Sequence, residues 1–256
     1  MMGCNTTSTP MNVGEALRAE DGTGKASSRH FRSIVGGLNY LSNTRPDITH
    51  SISVVSRFMH NPSLHHLGAA KRILRYVAGT LDYGVWYNNV DNFRLYGFTD
   101  SDYAGSLDDR KSTSGQVFFL GSGAVSWSSK KQDTVALSSS ETEYMAATSS
   151  ACQATWLRKI LADFGQAKIG ATDIYCDKKS AIAMSRNPSF HSRTKHIDIR
   201  YHFIRALIMK GEIQLKYTGT NQQVADIMTK SLPTGKHEYF ILRRGVISFE
   251  AKGSVN

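Results

Sequence analysis

The sequence predicts an α/β fold in which helices flank a mixed five-stranded sheet, with a small helical segment ahead of the sheet. The spacing of apolar residues changes near Tyr87, from steps of three and four to strand-like alternation. Beyond that point the order is three strands, a helix, then strand, helix, strand and helix. This succession is typical of one sheet covered by helices.

The first part of the chain is predicted to be helical after a loose start. Residues 1–28 are rich in Gly, Thr, Ser and Ala, with few large apolar residues, which indicates a flexible lead-in. In residues 29–90 apolar positions recur at helical spacing, and Pro46 and Pro62 interrupt them. We therefore expect short amphipathic helices in this segment.

The second part, residues 91–232, is predicted to form the sheet domain. Phe93–Phe98, Val117–Leu120 and Ala124–Trp127 predict a meander of antiparallel strands, and Thr134–Leu137 is a further β-prone stretch. Later elements are a strand at 174–176, a helix at 196–209, a strand at 213–217 and a last helix that starts at 224–230. Residues 233–256 are expected to be a C-terminal tail.

One long helix is predicted between the third and fourth strands. Ser138 and Glu141 have the spacing of a capping box. One stripe of the helix carries aromatic, aliphatic and small residues, namely Tyr144, Ala147, Ala151, Ala154, Leu157 and Leu161. The alanines would let the helix approach a sheet closely.

Composition limits the class of protein. The chain has 256 residues with 31 Lys+Arg and 21 Asp+Glu, a net charge of +10, which favours a polyanionic partner. No apolar run approaches the roughly 18 to 20 residues of a membrane span, and the first ten residues lack a secretory signal. We expect a cytoplasmic or nuclear protein that is not secreted and has no membrane partner. The three cysteines are widely spaced, so buried thiols are expected rather than disulfides or a zinc motif.

Four acidic residues stand where strands end or helices begin. Asp100 and Asp177 follow strands that, as parallel neighbours, would bring both to the same sheet edge. Glu143 shares the sheet-facing side of its helix, whereas Glu141 points about 200° away. Asp226 lies in the first turn of the last helix, where a favourable charge at a helix N-terminus would be the default explanation if this acid stood alone. Carboxylates in a basic surface suit Mg²⁺ or Mn²⁺ between protein and phosphate.

Several motifs give this pattern a specific resemblance. The ribonuclease H region of copia-type retrotransposon polyproteins is similar to residues 99–105 (TDSDYAG), 108–115 (DDRKSTSG), 128–132 (SSKKQ), 136–144 (ALSSSETEY) and 193–198 (RTKHID). The end of the reverse transcriptase of the same elements resembles residues 40–48, 56–59 and 69–76. The motifs cover nearly the whole chain in the expected order. On this resemblance the fold is ribonuclease H-like and residues 29–90 are a remnant of the reverse transcriptase.

The resemblance also implies a chemistry. Asp100, Glu143, Asp177 and Asp226 match the four metal-binding and catalytic carboxylates of the family. The implied activity is hydrolysis of the RNA strand of an RNA/DNA hybrid with two Mg²⁺ ions, or Mn²⁺ in their place. Selectivity would come from the 2′-hydroxyl of RNA and not from base sequence.

A basic stretch follows the third carboxylate. Candidates for gripping the nucleic-acid backbone are Lys178, Lys179, Arg193, Lys195, Arg200 and Arg205, and a solvated helix surface explains them equally well. Lys178 stands where the family usually has Asn, so it could pair with Asp177 and compete with a metal, or point towards a phosphate.

The chain lacks the Asp-Asp hairpin of a polymerase site, which predicts a C-terminal polyprotein fragment without polymerase activity. Two further hypotheses stay open. The chain could be an inactive nucleic-acid-binding relic of the same fold or, less favoured, a protein-interaction module. The sequence gives no indication of an oligomeric state.

Overall fold

The computed structural model describes residues 3–90, 93–167, 170–186 and 198–249. Short 3₁₀ helices occupy Pro46–Ile48, Thr220–Gln222 and Val224–Met228. The helices and strands, in chain order, are α1 (Ser28–Leu41), α2 (Thr49–Ser56), α3 (Leu64–Ala78), β1 (Tyr83–Val85), β2 (Leu95–Ser101), β3 (Thr113–Leu120), β4 (Gly123–Lys131), α4 (Ser139–Asp163), β5 (Thr172–Cys176), α5 (Lys179–Arg186), α6 (Asp198–Met209), β6 (Ile213–Tyr217), α7 (Thr234–Arg243) and β7 (Val246–Ser248).

Five strands form the central sheet in the order β4-β3-β2-β5-β6. The pairs β2–β3 and β3–β4 are antiparallel, whereas β2–β5 and β5–β6 are parallel. The mixed five-stranded sheet predicted from the sequence is therefore confirmed. Thr134–Leu137 was wrongly assigned β character. It leads into α4 instead, and the Leu137 N–H donates to the Glu141 carboxylate at 2.8 Å, not to a neighbouring strand.

Helix α4 covers one face of the sheet, as its stripe predicts. Ala147, Ala151 and Ala154 are fully buried and pack with Phe118 of β3 and Ile174 of β5. Small side chains at these positions bring the helix axis close to the strands, and α6 adds further apolar contacts to the same core. The N-terminal half of α4 is consequently fixed against β2.

The opposite face is covered by the end of the chain, where the structure differs from the prediction. The last α-helix does not begin at Val224: that residue opens a 3₁₀ turn, and α7 starts only after Pro233, which holds extended backbone at the helix N-cap. Residues 233–249, expected to be a tail, form α7 and β7. Phe240 is fully buried against β3, and β7 pairs antiparallel with β1.

The three predicted helices of the first segment are present as α1, α2 and α3. They enclose a core with Phe31, Ile48 and Ile73, each fully buried. The lead-in is not a loose chain end: it has no helix over the described residues 3–27, but Met11 and Leu17 are 2% and 6% exposed in this core. These two apolar residues, too few to show a period, hold it together with polar contacts such as the hydrogen bond from Arg72 to Thr9 Oγ1 at 3.0 Å.

A buried arginine joins the helical segment to the sheet domain. Arg244 is fully buried and donates to the carbonyl oxygens of Pro46 at 3.4 Å and Val224 at 3.0 Å. Burial lowers the pKa of Arg244 to about 9, and nearby Asp47 opposes that shift.

Within the described part of the chain, no helix has both the length and the apolar character to cross a membrane.

Candidate active site

Asp100 lies near the end of β2 and is 3% exposed. Burial is the main cause that raises the pKa of its carboxyl, and the charges of Asp226 and Asp177 raise it further. Lys230 and a hydrogen bond from the Thr229 hydroxyl act in the opposite direction. Asp100 therefore lies within electrostatic reach of both Asp226 and Asp177.

Glu143 lies in the first turns of α4 and is 2% exposed. Burial raises the pKa of its carboxyl, and Asp100 and Asp177 add to the shift, whereas the backbone N–H of Ser101 and the charge of Lys178 lower it. A carboxylate in this position is held away from water and close to like charges. It is destabilised unless a proton or a cation joins it.

Gln132 fixes the start of α4 against the sheet. Its side-chain amide donates to Ser114 Oγ at 2.8 Å, the Thr142 carbonyl at 3.1 Å and Ser101 Oγ at 3.2 Å. Thr142 precedes Glu143, so these bonds set the position of the carboxylate relative to β2. Gln132 closes the SSKKQ motif, which gives that motif a structural role.

Asp177 follows β5 directly and is half-buried. The Thr220 hydroxyl donates to its Oδ2 at 3.3 Å. Ligand atoms of Asp177, Glu143 and Cys176 all lie within 4.8 Å of one another. The parallel pairing of β2 with β5 therefore brings the ends of both strands to the same edge, as the sequence predicts.

Asp226 is fully buried in the 3₁₀ turn Val224–Met228 and pairs with two lysines. Lys230 Nζ lies 3.0 Å from Oδ1, and Lys236 Nζ of α7 lies 2.8 Å from Oδ2. The turn is anchored to the sheet by Gln223, whose amide donates to the Thr99 carbonyl at 2.9 Å. Among the described residues, the other three carboxylates form no such ion pairs with lysine.

Three buried carboxylate oxygens at this edge have no hydrogen-bond partner among the described residues, namely Glu143 Oε2, Asp177 Oδ1 and Asp226 Oδ1. Of these, Asp226 Oδ1 forms the ion pair with Lys230, which leaves Glu143 Oε2 and Asp177 Oδ1 without a cationic partner. Native proteins pair nearly all such atoms, so unpaired oxygens gathered in one place are suited to hold a cation or an ordered water. Hard anionic oxygens suit a divalent cation such as Mg²⁺.

The four predicted carboxylates thus form one connected group, in which Asp100 lies within electrostatic reach of Asp226 and Asp177, and Glu143 within reach of Asp100 and Asp177. Their catalytic role stays a prediction. Asp102, two residues after Asp100, serves the loop: it accepts the Thr113 N–H, and burial raises its pKa to about 6.

The predicted backbone-gripping residues have mixed outcomes. Lys178 is half-buried, and Lys179 is exposed with its Nζ 4.9 Å from the Tyr217 ring centre. In α6, Arg205 contacts His202 Nδ1 at 3.4 Å. Arg193 and Lys195 lie outside the described residues, as does the side chain of Arg200.

Sequence reasoning missed Lys230, Lys236 and Cys176 as members of the site. The four-residue spacing of Asp226 and Lys230 could have indicated the ion pair between these two residues. None of the three cysteines forms a disulfide within the part of the chain that the structure describes. The expectation of buried thiols holds for Cys176, but it is wrong for Cys152, which is exposed because it lies on the solvent side of α4.

Comparison with known proteins identifies relatives along nearly the whole chain. The retrovirus-related Pol polyprotein from transposon RE1 of Arabidopsis thaliana is 39% identical over 96% of this chain and 17% of its own length. The corresponding polyprotein from transposon TNT 1-94 of Nicotiana tabacum is 44% identical over 81% of this chain and 16% of its own length. No protein-family model matches the chain.

Among solved structures, ribonuclease H1 of Halobacterium salinarum is similar over 53% of this chain and 94% of its own, with 14% identity and a TM-score of 0.38. The five-stranded mixed sheet flanked by helices is an α/β fold, as the sequence predicts. The chain spans less than a fifth of the length of the polyproteins that it matches. It belongs to the family of retrovirus-related transposon Pol polyproteins, of which it represents one segment.

Proposed function

We propose that the chain is a metal-dependent ribonuclease that hydrolyses the RNA strand of RNA/DNA hybrids. The observation that supports this most directly is the set of acids at the end of β2 and β5, with unpaired oxygens on Glu143 and Asp177. The five-stranded mixed sheet and the Pol polyprotein relatives agree with it.

Asp100, Glu143 and Asp177 are the residues that would hold divalent cations, with Asp226 as a fourth once its lysines move away. Such cations activate a water and stabilise the leaving oxygen of a phosphodiester. The chain itself contributes position: the Ser101 N–H holds Glu143, Thr220 orients Asp177, and Thr229 holds Asp100.

Substrate binding would use the basic surface around this edge. Lys178 adjoins Asp177, and its charge already reaches Glu143, so it is suited to meet a phosphate entering the site. Lys230 lies near Asp100 and Asp226 and is 47% exposed at its side chain. Contacts of lysine side chains with the phosphate backbone of a nucleic acid give affinity without reading base sequence.

A second candidate function is binding of nucleic acid without cleavage. The ion pairs of Asp226 with Lys230 and Lys236 favour it, because ammonium groups there neutralise a carboxylate that a metal would need. The basic surface would persist in such a relic.

The test is cleavage of a labelled RNA/DNA hybrid with Mg²⁺ or Mn²⁺, beside Asp100→Asn and Glu143→Gln. We expect cleavage by the parent chain and a loss of at least about 100-fold in each variant, with hybrid binding retained. Binding without cleavage by the parent would favour the relic. Equal cleavage by parent and variants would contradict the assigned site.

A further inference from the structure

A thiol lies among the carboxylates of the candidate active site. Cys176 ends β5 and is fully buried. Its Sγ and the carboxylate oxygens of Glu143 and Asp177 all lie within 4.8 Å of one another. Among the described residues, this is the one group of three or more His, Cys, Asp or Glu side chains with metal-ligand spacing.

The surroundings hold the sulfur in place and leave the oxygens available. The backbone N–H of Lys178 donates to Cys176 Sγ at 3.5 Å, which orients the sulfur, while burial and the charge of Glu143 raise the pKa of the thiol. Glu143 is 2% exposed, yet its Oε2 has no partner among the described residues, and neither does Asp177 Oδ1. These two carboxylate oxygens are therefore available to coordinate a cation.

We propose that Glu143, Cys176 and Asp177 bind a thiophilic divalent cation of the zinc class. Mg²⁺ takes oxygen ligands, whereas a thiolate beside carboxylates selects Zn²⁺ or Cd²⁺. Metal–ligand distances of about 2.0 to 2.3 Å require donors roughly 3.5 Å apart, so the three side chains must close by about 1 Å. The thiol proton leaves to solvent when the cation binds.

The cation would share Glu143 and Asp177 with the proposed Mg²⁺ site, so the two kinds of ion exclude one another. Cys176 would coordinate the zinc-class ion but not Mg²⁺. The site consequently distinguishes hard from soft cations through one side chain, Cys176. Occupation by the soft ion blocks the carboxylates that hydrolysis would need. Binding of the soft ion itself does not depend on whether the chain cleaves nucleic acid.

The test is a Cd²⁺ titration of the full chain without Mg²⁺, followed by the ultraviolet cadmium–thiolate charge-transfer absorption. The starting protein carries Cys4→Ser and Cys152→Ser, so that Cys176 is its one thiol. We expect the absorption to saturate at one equivalent of Cd²⁺. Adding Cys176→Ser abolishes it, and Glu143→Gln weakens Cd²⁺ binding by roughly 10-fold. Excess Mg²⁺ raises the apparent Kd for Cd²⁺.

Cys176→Ala is a second variant in case a buried serine prevents folding, with far-ultraviolet circular dichroism as the check. No absorption in the starting protein, or Cd²⁺ affinity unchanged by Glu143→Gln, overturns the proposal. The hybrid-cleavage assay separates the two proposals. If the starting protein shows cadmium–thiolate absorption but the parent chain does not cleave the hybrid, the zinc-class site is supported and the nuclease proposal is contradicted. If the parent chain cleaves the hybrid but no absorption is seen, the nuclease is supported and the zinc-class site is contradicted.

Discussion

Gly115 stands directly opposite Asp100 in the antiparallel pair β2–β3. A Cβ atom at position 115 would lie 2.6 Å from the Cβ of Met228 and 2.7 Å from Thr229 Cγ2. The glycine in the DDRKSTSG motif therefore lets the 3₁₀ turn that carries Asp226 come down onto the strand bearing Asp100. The approach of the two acids depends on that missing side chain.

Replacing this glycine should displace the turn. We expect Gly115→Ala to lower the free energy of unfolding by about 1 to 3 kcal/mol and to weaken divalent-cation binding, since Asp226 moves with Met228. Urea unfolding and Mn²⁺ titration measure the two effects. Gly68→Ala in α3 is the matched control, because a Cβ there meets nothing within 4 Å. Equal stability loss in both variants would contradict the steric explanation.

Lys236 should weaken cation binding at Asp226. Its ammonium group is 2.8 Å from the carboxylate, so a divalent cation must compete with it. We expect Lys236→Met to tighten Mg²⁺ binding by up to about 5-fold, the equivalent of a partly exposed ion pair. Lys216→Met is the control: Lys216 pairs with Asp173 at 2.9 Å and is similarly exposed, 38% against 33%. Tightening by the control alone, or by neither variant, would count against the competition.

Glu143 is expected to destabilise the folded protein when no divalent cation is bound. Its folded-state pKa is raised by burial and by Asp100 and Asp177, so ionisation at neutral pH favours the unfolded chain. We expect Glu143→Gln to raise the free energy of unfolding by on the order of 1 kcal/mol without divalent cations. Added Mg²⁺ should stabilise the parent more than the variant. A variant that is less stable than the parent without cations would refute this account.

His237 provides a pH dependence of stability. Burial lowers its pKa from the ordinary 6.5 to about 4. The unfolded chain therefore takes up the proton first, and the stability present above about pH 6.5 is lost as pH falls towards 4. Between about pH 7.5 and 5.5 the loss from this residue is about 1.4 kcal/mol.

The measurement is urea unfolding of the parent and His237→Asn at both pH values, compared as a difference. Raised carboxyl pKa values act with the opposite sign, since Asp100 and Glu143 gain protons in the folded state first, and the difference cancels them. An unchanged pH slope in the variant would mean that the imidazole is not held neutral.

Prediction from sequence succeeded where local pattern and position coincide. Asp100 lies near the end of β2, which shows apolar alternation, and Asp177 directly follows the buried strand β5. The alanine stripe of α4 sets the side of the helix on which Glu143 lies. Lys236 could not be found in this way. It reaches Asp226 because Pro233 redirects the chain and Phe240 anchors α7 on the sheet, both consequences of tertiary packing.

The ends of the described chain were the least predictable. Met11 and Leu17 are isolated apolar residues without a period, and β1 and β7 are three residues each, too short for alternation to indicate a strand. Their structure comes from partners far along the chain, which local spacing does not contain.

The long-range bond between Arg244 and Pro46 has a consequence for the time course of folding. The two residues are separated by 198 positions, and strand β1 likewise pairs with β7, which lies near the other end of the described chain. Contacts so distant in sequence form late, because a large loop must close before they stabilise anything. During synthesis the helical segment emerges before the sheet domain, and its hydrogen bond with Arg244 forms only after that residue has left the ribosome. Its early helices then depend on their own core, around Phe31 and Ile73, to avoid aggregation in the interval.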